Sequence, residues 1–286
     1  MSAGTSLGRI ACSAEQLLPS RAHPNYRRWR SYHQAARHRG ELAAELLAPL
    51  LPHRSVVLDI GCGVGGTSVA LACRGAVVLA LERDRRRLDV TDELAEAARV
   101  QLTLVQGDGT ALPFKDGRFD ALILQDVLEH VSAPGLLLQE AARTLRKGGL
   151  LFLVTPNRWS PCNVLSDPHW GLPLVAALPR WAVALLTRRR RAEGPEGSIV
   201  PALLSLGSLR ALMQEAGLVM NFVNRAAARL IALEPRAAFC APWHLRLAHW
   251  AKRAGVLHWL PRFVSDRAGA FNWWLNPAWY IVAQKQ

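Results

Sequence analysis

Three carboxylates and a run of glycines carry the chemistry this sequence could do. The run Val56-Val57-Leu58-Asp59-Ile60-Gly61-Cys62-Gly63-Val64-Gly65-Gly66-Thr67 takes strand-forming residues through an acid into four glycines in six positions. That order predicts a buried strand, a tight turn and a helix start, with bare backbone brought up against a ligand. Gly61, Gly63 and Gly66 also satisfy the dinucleotide-binding spacing, so the glycines alone do not choose a ligand. Asp59 does, because an acid two residues before the first glycine suits a ligand with a cationic amino-acid end.

Two further acids follow at strand ends. Ala76-Val77-Val78-Leu79-Ala80-Leu81 reads as a second strand ending on Glu82, 19 residues after Gly63, where a carboxylate can accept hydrogen bonds from ribose hydroxyls. Leu102-Thr103-Leu104-Val105 reads as a third strand leading to Gly107-Asp108-Gly109, and Leu112-Pro113-Phe114 after it offers an apolar wall for a ring. Asp108 could accept from an adenine amine. A fourth strand over residues 119–124 ends at Gln125-Asp126, followed by Val127-Leu128-Glu129-His130-Val131. Asp126 and His130 are the candidate proton acceptors of this loop, His130 because an unperturbed imidazole titrates near neutrality, although a structural role at the start of the next helix accounts for His130 as well or better.

The elements that must position these groups alternate. Helices are expected over residues 67–74, 91–99 and 136–145, and a fifth strand over 150–155 follows the turn Lys147-Gly148-Gly149. Five strand–helix alternations in about a hundred residues predict an α/β fold with ligands at the carboxyl ends of a parallel sheet. Upstream, residues 26–51 show helical periodicity ending at Pro52. This helix could lie over the ligand cleft and bring Tyr32 and His33 to the ligand, although ordinary helix-surface positions account for both more simply.

Residues 54–157 resemble the class I methyltransferases that use S-adenosylmethionine (SAM), in particular the broad type 11 group that includes the ubiquinone- and menaquinone-biosynthesis methyltransferases. The resemblance rests on five features in order: the Asp59–glycine run, Glu82, Gly107-Asp108 with Leu112-Pro113-Phe114, Phe119-Asp120 leading to Asp126–Val131, and Arg146-Lys147-Gly148-Gly149. It implies SAM as cofactor. It also implies that Asp59 and the backbone of Gly61, Cys62, Gly63 and Gly65 face the methionine end, that Glu82 with the adjoining Arg83 holds the ribose, that Asp108 and Gly109 approach the adenine, and that Gln125 lies beside the methionine moiety. Some relatives bind a metal around the Glu-His pair. No metal is expected here, because Gln125 is not an acid and no further histidine follows at a suitable spacing.

Beyond residue 157 the resemblance thins. The expected architecture is a Rossmann-like, seven-stranded, mostly parallel sheet with helices on both faces and two helical cap insertions. Its parts are an N-terminal helical segment (1–53), the SAM-binding core (54–157), a first cap (158–204), a helix and sixth strand (205–224), a tryptophan-rich second insertion (225–276) and a seventh strand (277–286). The first cap offers Asn157, Trp159, Asp167, His169 and Trp170 as acceptor-facing candidates, although a turn stabilised by Pro168 accounts equally for Asp167 and His169. Residues 174–187 are mostly apolar and stop at four arginines, too short and too interrupted by Pro179 and Arg180 to span a bilayer. In the second insertion Trp243, Leu247, Trp250, Ala254 and Leu257 fall on one helical stripe, and six of the ten tryptophans lie between Trp243 and Trp279. Both segments read as an apolar cap packed on the core or as a lipid-binding surface.

Charge divides the chain in the same places. Residues 55–157 carry 11 Lys+Arg against 13 Asp+Glu, residues 1–54 carry 8 against 3, and residues 158–286 carry 16 against 6. Arginine outnumbers lysine 31 to 4, which a GC-rich genome explains; the placement of that charge in the flanks suits an anionic partner. Five scattered cysteines without a C-x-x-C pair read as thiols of a reducing, cytoplasmic compartment, and the N-terminus shows no secretory pattern. The function expected is methyl transfer, with oxygen the methylated atom, to a small, apolar or lipid-linked acceptor, with peripheral contact to an anionic membrane surface. An NAD-dependent oxidoreductase, opposed by Asp59 and Asp108, and a non-catalytic SAM-binding module are the alternatives. Nucleic acid is not an expected partner, because the aromatic insertions contain no RNA-binding module.

Overall fold

A computed structural model describes residue 10 and residues 12–192, 200–238, 242–267 and 269–286. Seven strands form one sheet in the order β3-β2-β1-β4-β5-β7-β6: β1 Val56–Ile60, β2 Val77–Glu82, β3 Thr103–Gln106, β4 Phe119–Gln125, β5 Leu145–Pro156, β6 Leu218–Phe222 and β7 Ala278–Lys285. Only β7 runs against its neighbours, pairing antiparallel with both β5 and β6. The mostly parallel seven-stranded sheet is therefore as expected.

Alternate residues of the central strands fill opposite faces, which is why these strands read as unbroken apolar runs. On one face Leu58, Ile60, Leu122, Leu124, Leu151 and Leu153 share a core with helices Pro134–Thr144 and Leu206–Glu215. On the other, Val57, Ala121, Ile123, Phe152 and Val154 pack with helices Ala36–Leu47 (α2), Gly66–Cys73 (α3) and Asn224–Leu233.

Two expected helices differ in extent. The expected helix over 26–51 is interrupted at Ala35 into Tyr26–Gln34 (α1) and α2, and it ends at Leu47 because Pro49 lacks a backbone donor. The expected helix over 91–99 starts six residues earlier, at Arg85, where the Asp84 carboxylate accepts the Arg86 amide at 3.0 Å. The apolar stretch 174–187 breaks at Pro179 into a short turn, Val175–Ala177, and helix Arg180–Leu186.

Both insertions leave the same end of the sheet. The last residue of β5, Pro156, pairs with Ala278 at the start of β7, and the last of β6, Phe222, pairs with Ile281. That is also the end at which β1, β2 and β4 finish, so the caps rise around the rim where this fold receives ligands. Five buried asparagines tie the joint. Asn157 Nδ2 donates to the carbonyls of Asn272, Trp273 and Asn276, while Asn272 Oδ1 accepts from both Asn224 and Asn276. Asn163 Nδ2 donates to the carbonyls of Asn157 and Pro277.

Candidate cofactor and acceptor site

Three adjacent strand ends carry the predicted acids, with Asp59 and Glu82 beside the glycine turn and Asp108 just past β3. Gly63 has φ +58°, a conformation open to glycine, and a side chain placed there would find no protein atom within 4 Å. The space in front of this turn is therefore free for a ligand, as a cofactor cradle requires. Glu82 closes one side: its Oε2 accepts the Gly63 amide at 3.2 Å, and its Oε1 accepts those of Arg83 and Asp84 at 2.8 and 3.1 Å. Backbone amides of two turns thus fix the carboxylate, with an acceptor site left over on Oε2.

Asp59 lies beneath the turn, 2 % exposed, accepting the Ser68 hydroxyl at 2.5 Å. Burial pushes its carboxyl up to about 6, against which the Ser68 hydrogen bond acts and to which the Glu82 charge adds. A buried acid in this state gains from a cationic neighbour. Cys62 sits beside it with its thiol pushed well up by burial, an inert environment for nucleophilic chemistry. Asp108 at the end of β3 is exposed and holds its own turn: Oδ1 accepts the Thr110 amide at 2.9 Å and hydroxyl at 2.8 Å, which lowers its pKa. Arg83 Nε stands 3.7 Å from Asp108 Oδ2, both in solvent, a contact of little energetic weight. Gly109 is packed between Ile60 and Leu137, where a side-chain carbon would come within 2.7 Å of each.

At the end of β4, Gln125 Oε1 accepts the Thr67 hydroxyl at 2.8 Å, joining the glycine turn's helix to this strand. Asp126 has φ +56° and accepts the Tyr32 hydroxyl at 3.0 Å on Oδ2; Arg39 Nε lies 3.9 Å from the same oxygen and its guanidinium stacks 3.5 Å over the Tyr32 ring. Tyr32 is thus a part of the site and not the ordinary helix-surface residue expected. Its linear context held no signal, since α1 reaches the cleft only because α2 packs on α3. That packing is backbone to backbone: a Cβ on Gly40 would fall 2.2 Å from the Gly66 carbonyl oxygen, and one on Gly66 2.2 Å from that of Ala36.

The acceptor side is built jointly by the β4 loop and the first insertion. His130, at the end of the turn Leu128–His130, meets His169 edge to face with ring centroids 4.8 Å apart. Glu129 is buried, accepts the Thr155 hydroxyl at 3.2 Å and is raised to about 8, by burial first and by Asp126 second. Ligand atoms of Glu129, His130 and His169 lie within 4.8 Å of one another, so this trio could accept a divalent cation. The expectation of no metal rested on the lack of a nearby histidine in sequence, and His169 supplies one in space. Arg180 Nη2 donates to the Val131 carbonyl at 2.9 Å, and the Ala202 amide donates to that of Glu129, binding the insertion to the loop.

Three of the five acceptor candidates are occupied elsewhere. Asn157 spends its side chain in the joint described above, including acceptance of the Trp159 amide at 3.0 Å. Asp167 turns its carboxylate onto the amides of His169 and Trp170, at 2.9 and 2.8 Å, so it caps its own turn. Trp170 is buried with Val175 and Val183 and meets Trp29 edge-on at 6.0 Å. Only His169 and the exposed Trp159 keep positions from which an acceptor is reachable. Sequence reading missed the partner that holds this insertion: Asn25 and Trp29 donate to the His169 carbonyl at 3.0 and 3.3 Å, and Arg28 donates to Asp167 and Pro168.

The sheet order with β7 antiparallel, the glycine turn and the acids at successive strand ends form an arrangement similar to that of the class I, SAM-dependent methyltransferases. Residues 58–153 match the methyltransferase domain family of the type 11 group. Within this core the chain is 35 % identical over 102 residues to a ubiquinone biosynthesis O-methyltransferase of Coxiella burnetii, covering 36 % of this chain and 44 % of that protein. It is 38 % identical over 110 residues to a protein of the same name from Xanthomonas oryzae pv. oryzae, covering 36 % and 43 %. The match spans less than half the length of these relatives. The fold is shared with a SAM-dependent methyltransferase of Methanosarcina mazei, TM-score 0.53 at 16 % identity over 84 % of this chain and 96 % of that one. It is also shared with a geranyl diphosphate methyltransferase in complex with SAM, TM-score 0.52 at 16 % identity over 93 % and 92 %.

Proposed function

We propose that this chain is a methyltransferase that moves the methyl group of SAM to oxygen of a small, apolar or lipid-linked acceptor. The observation that carries the reading is the set of acids on three adjacent strand ends, Asp59 and Glu82 beside the open turn at Gly63 and Asp108 just past β3. When bound, SAM supplies a methyl carbon activated by a sulfonium for in-line displacement. The chain's part is to hold and orient. The glycine turn and Asp59 receive the amino-acid end, Glu82 with Arg83 the ribose, Asp108 and Gly109 the adenine, and Gln125 the edge of the methionine chain.

Methylation of a hydroxyl also needs a proton acceptor, and proximity supplies most of the remaining advantage. The His130–His169 pair stands at the β4 loop where the acceptor is expected, and either neutral ring nitrogen can take the proton. Asp126 is less suited, because its Oδ2 already accepts the Tyr32 hydroxyl and faces Arg39. The apolar character of the acceptor is supported by the aromatic side chains left outward in the two caps around this end of the sheet. The O-methyltransferase name of the relatives supports oxygen as the target.

Calorimetry with S-adenosylhomocysteine and with NADH tests the cofactor. Binding of the first is expected, weakened by about 1.5–3 kcal/mol in Glu82→Ala if charge-assisted hydrogen bonds are lost. Binding of NADH without S-adenosylhomocysteine would overturn the reading.

A further inference from the structure

The two insertions leave more apolar surface in water than the rest of the described chain. Fourteen of its eighteen exposed large apolar side chains lie in residues 158–204 and 225–276, about a third of the sequence. An apolar cap packed on the core would hide them. Trp181 is 73 % exposed and Leu185 68 %, one helical turn apart on Arg180–Leu186; Trp250 is 64 % exposed on Pro242–Arg253, and Phe263 76 % at the end of the next short helix. Exposed tryptophan and phenylalanine at this density mark a surface that meets something.

The charge beside them names its chemistry. Residues 158–192 carry six arginines and one acid, Asp167, which is buried in its own turn. Arg188 and Arg189, one residue beyond Leu186, are exposed. The second insertion carries eight Lys+Arg against two acids, with exposed Arg246, Lys252 and Arg253 interleaved among the apolar residues and Arg262 stacked 3.9 Å over the Trp259 ring. Apolar side chains interleaved with cations fit the boundary of an anionic bilayer, where rings and aliphatic chains enter the headgroup layer and arginines stay at the phosphates. No helix among the described residues is long and apolar enough to cross a membrane, so the contact is one of lying on the surface.

The position of this surface gives it a purpose. Both insertions rise from the end of the sheet that carries Gly63, Glu82 and Asp126, and α1 packs against Pro242–Arg253 while its neighbours Asn25 and Trp29 hold the His169 turn. We propose that the two insertions form a docking surface for an anionic lipid bilayer, seated so that the acceptor side opens toward the membrane. The claim deepens the reading of a lipid-linked acceptor and rests on it for its purpose, though the docking itself needs no turnover.

Co-sedimentation of the purified full chain with vesicles tests it. Vesicles of phosphatidylcholine mixed with phosphatidylglycerol are expected to carry the protein down, vesicles of phosphatidylcholine alone much less, and added salt should reduce the bound fraction. The double variants Trp181→Ser/Leu185→Ser and Arg188→Glu/Arg189→Glu should each weaken binding by about tenfold or more. S-adenosylhomocysteine affinity, measured on the same variants, should be unchanged, which separates loss of docking from loss of the fold or of the cofactor site. Absence of sedimentation with anionic vesicles, or sedimentation that neither variant changes, would overturn the proposal. So would a dimer in light scattering that dissociates in Trp181→Ser/Leu185→Ser while vesicles stay bare, since the face would then belong to a second copy of the chain.

Discussion

His130 and His169 meet edge to face, ring planes at 83° and centroids 4.8 Å apart, although they stand 39 residues apart on the β4 loop and the first insertion. This contact joins the first insertion to the β4 loop beside the proposed acceptor site. It predicts that each histidine matters to turnover and not to cofactor binding. His130→Ala and His169→Ala should each lower kcat by roughly 10²- to 10⁴-fold if the pair takes the acceptor's proton, with S-adenosylhomocysteine affinity unchanged. A kcat that stays flat against pH and within twofold of wild type in both variants would leave the pair structural.

Asp59 predicts a pH dependence of binding. Its carboxyl is raised to about 6 by burial, and only the ionised form attracts a ligand ammonium. S-adenosylhomocysteine affinity should therefore fall as pH drops from 7 through about 6, and Asp59→Asn should flatten that profile. Stability moves the other way. A carboxyl raised in the fold contributes most below the ordinary carboxylate range and loses that contribution as pH rises through about 6. Asp59→Asn should thus be at least as stable as the parent at pH 8 in thermal unfolding while binding the ligand less well.

The α2–α3 crossing predicts a steric penalty. Gly40→Ala and Gly66→Ala each put a carbon 2.2 Å from a backbone carbonyl oxygen of the facing helix. Each should lower stability by about 1–3 kcal/mol through overpacking, in excess of the roughly 1 kcal/mol that alanine returns in helix propensity. Denaturant midpoints measure it, and a stabilised Gly40→Ala would contradict the packing.

The asparagine joint predicts that the second insertion depends on one side chain. Asn272 donates to Ser265 and Arg267 and accepts from Asn224 and Asn276, entirely out of solvent. Asn272→Ala strands these groups, and about 1–3 kcal/mol of destabilisation follows from each buried partner left unsatisfied. Proteolysis of the variant should cut first within residues 225–276; a cleavage pattern like the parent's would show that the joint is not what holds the insertion.

What could be read in the sequence was what local pattern determines. Apolar runs broken by glycines and ended by acids located β1, β2 and β3 with Asp59, Glu82 and Asp108, because strand ends and ligand contacts there share a few consecutive residues. His169 is legible as a candidate but its contact with His130 is not, and Tyr32 and Arg39 reach Asp126 through tertiary packing, by way of Gly40 against Gly66; no linear spacing announces such contacts. Asn157 and Asp167 misled for a related reason. A polar side chain next to a strand end looks the same in sequence whether it serves a ligand or the backbone beside it.

The central claim is methyl transfer from SAM to an apolar acceptor, and transfer of tritiated methyl label into fractionated cell extract tests it most directly. Label should enter organic-extractable material with the parent chain and be lost with Glu82→Ala. Label appearing only in RNA or in polar metabolites, or no label from a protein that binds S-adenosylhomocysteine, would contradict the account.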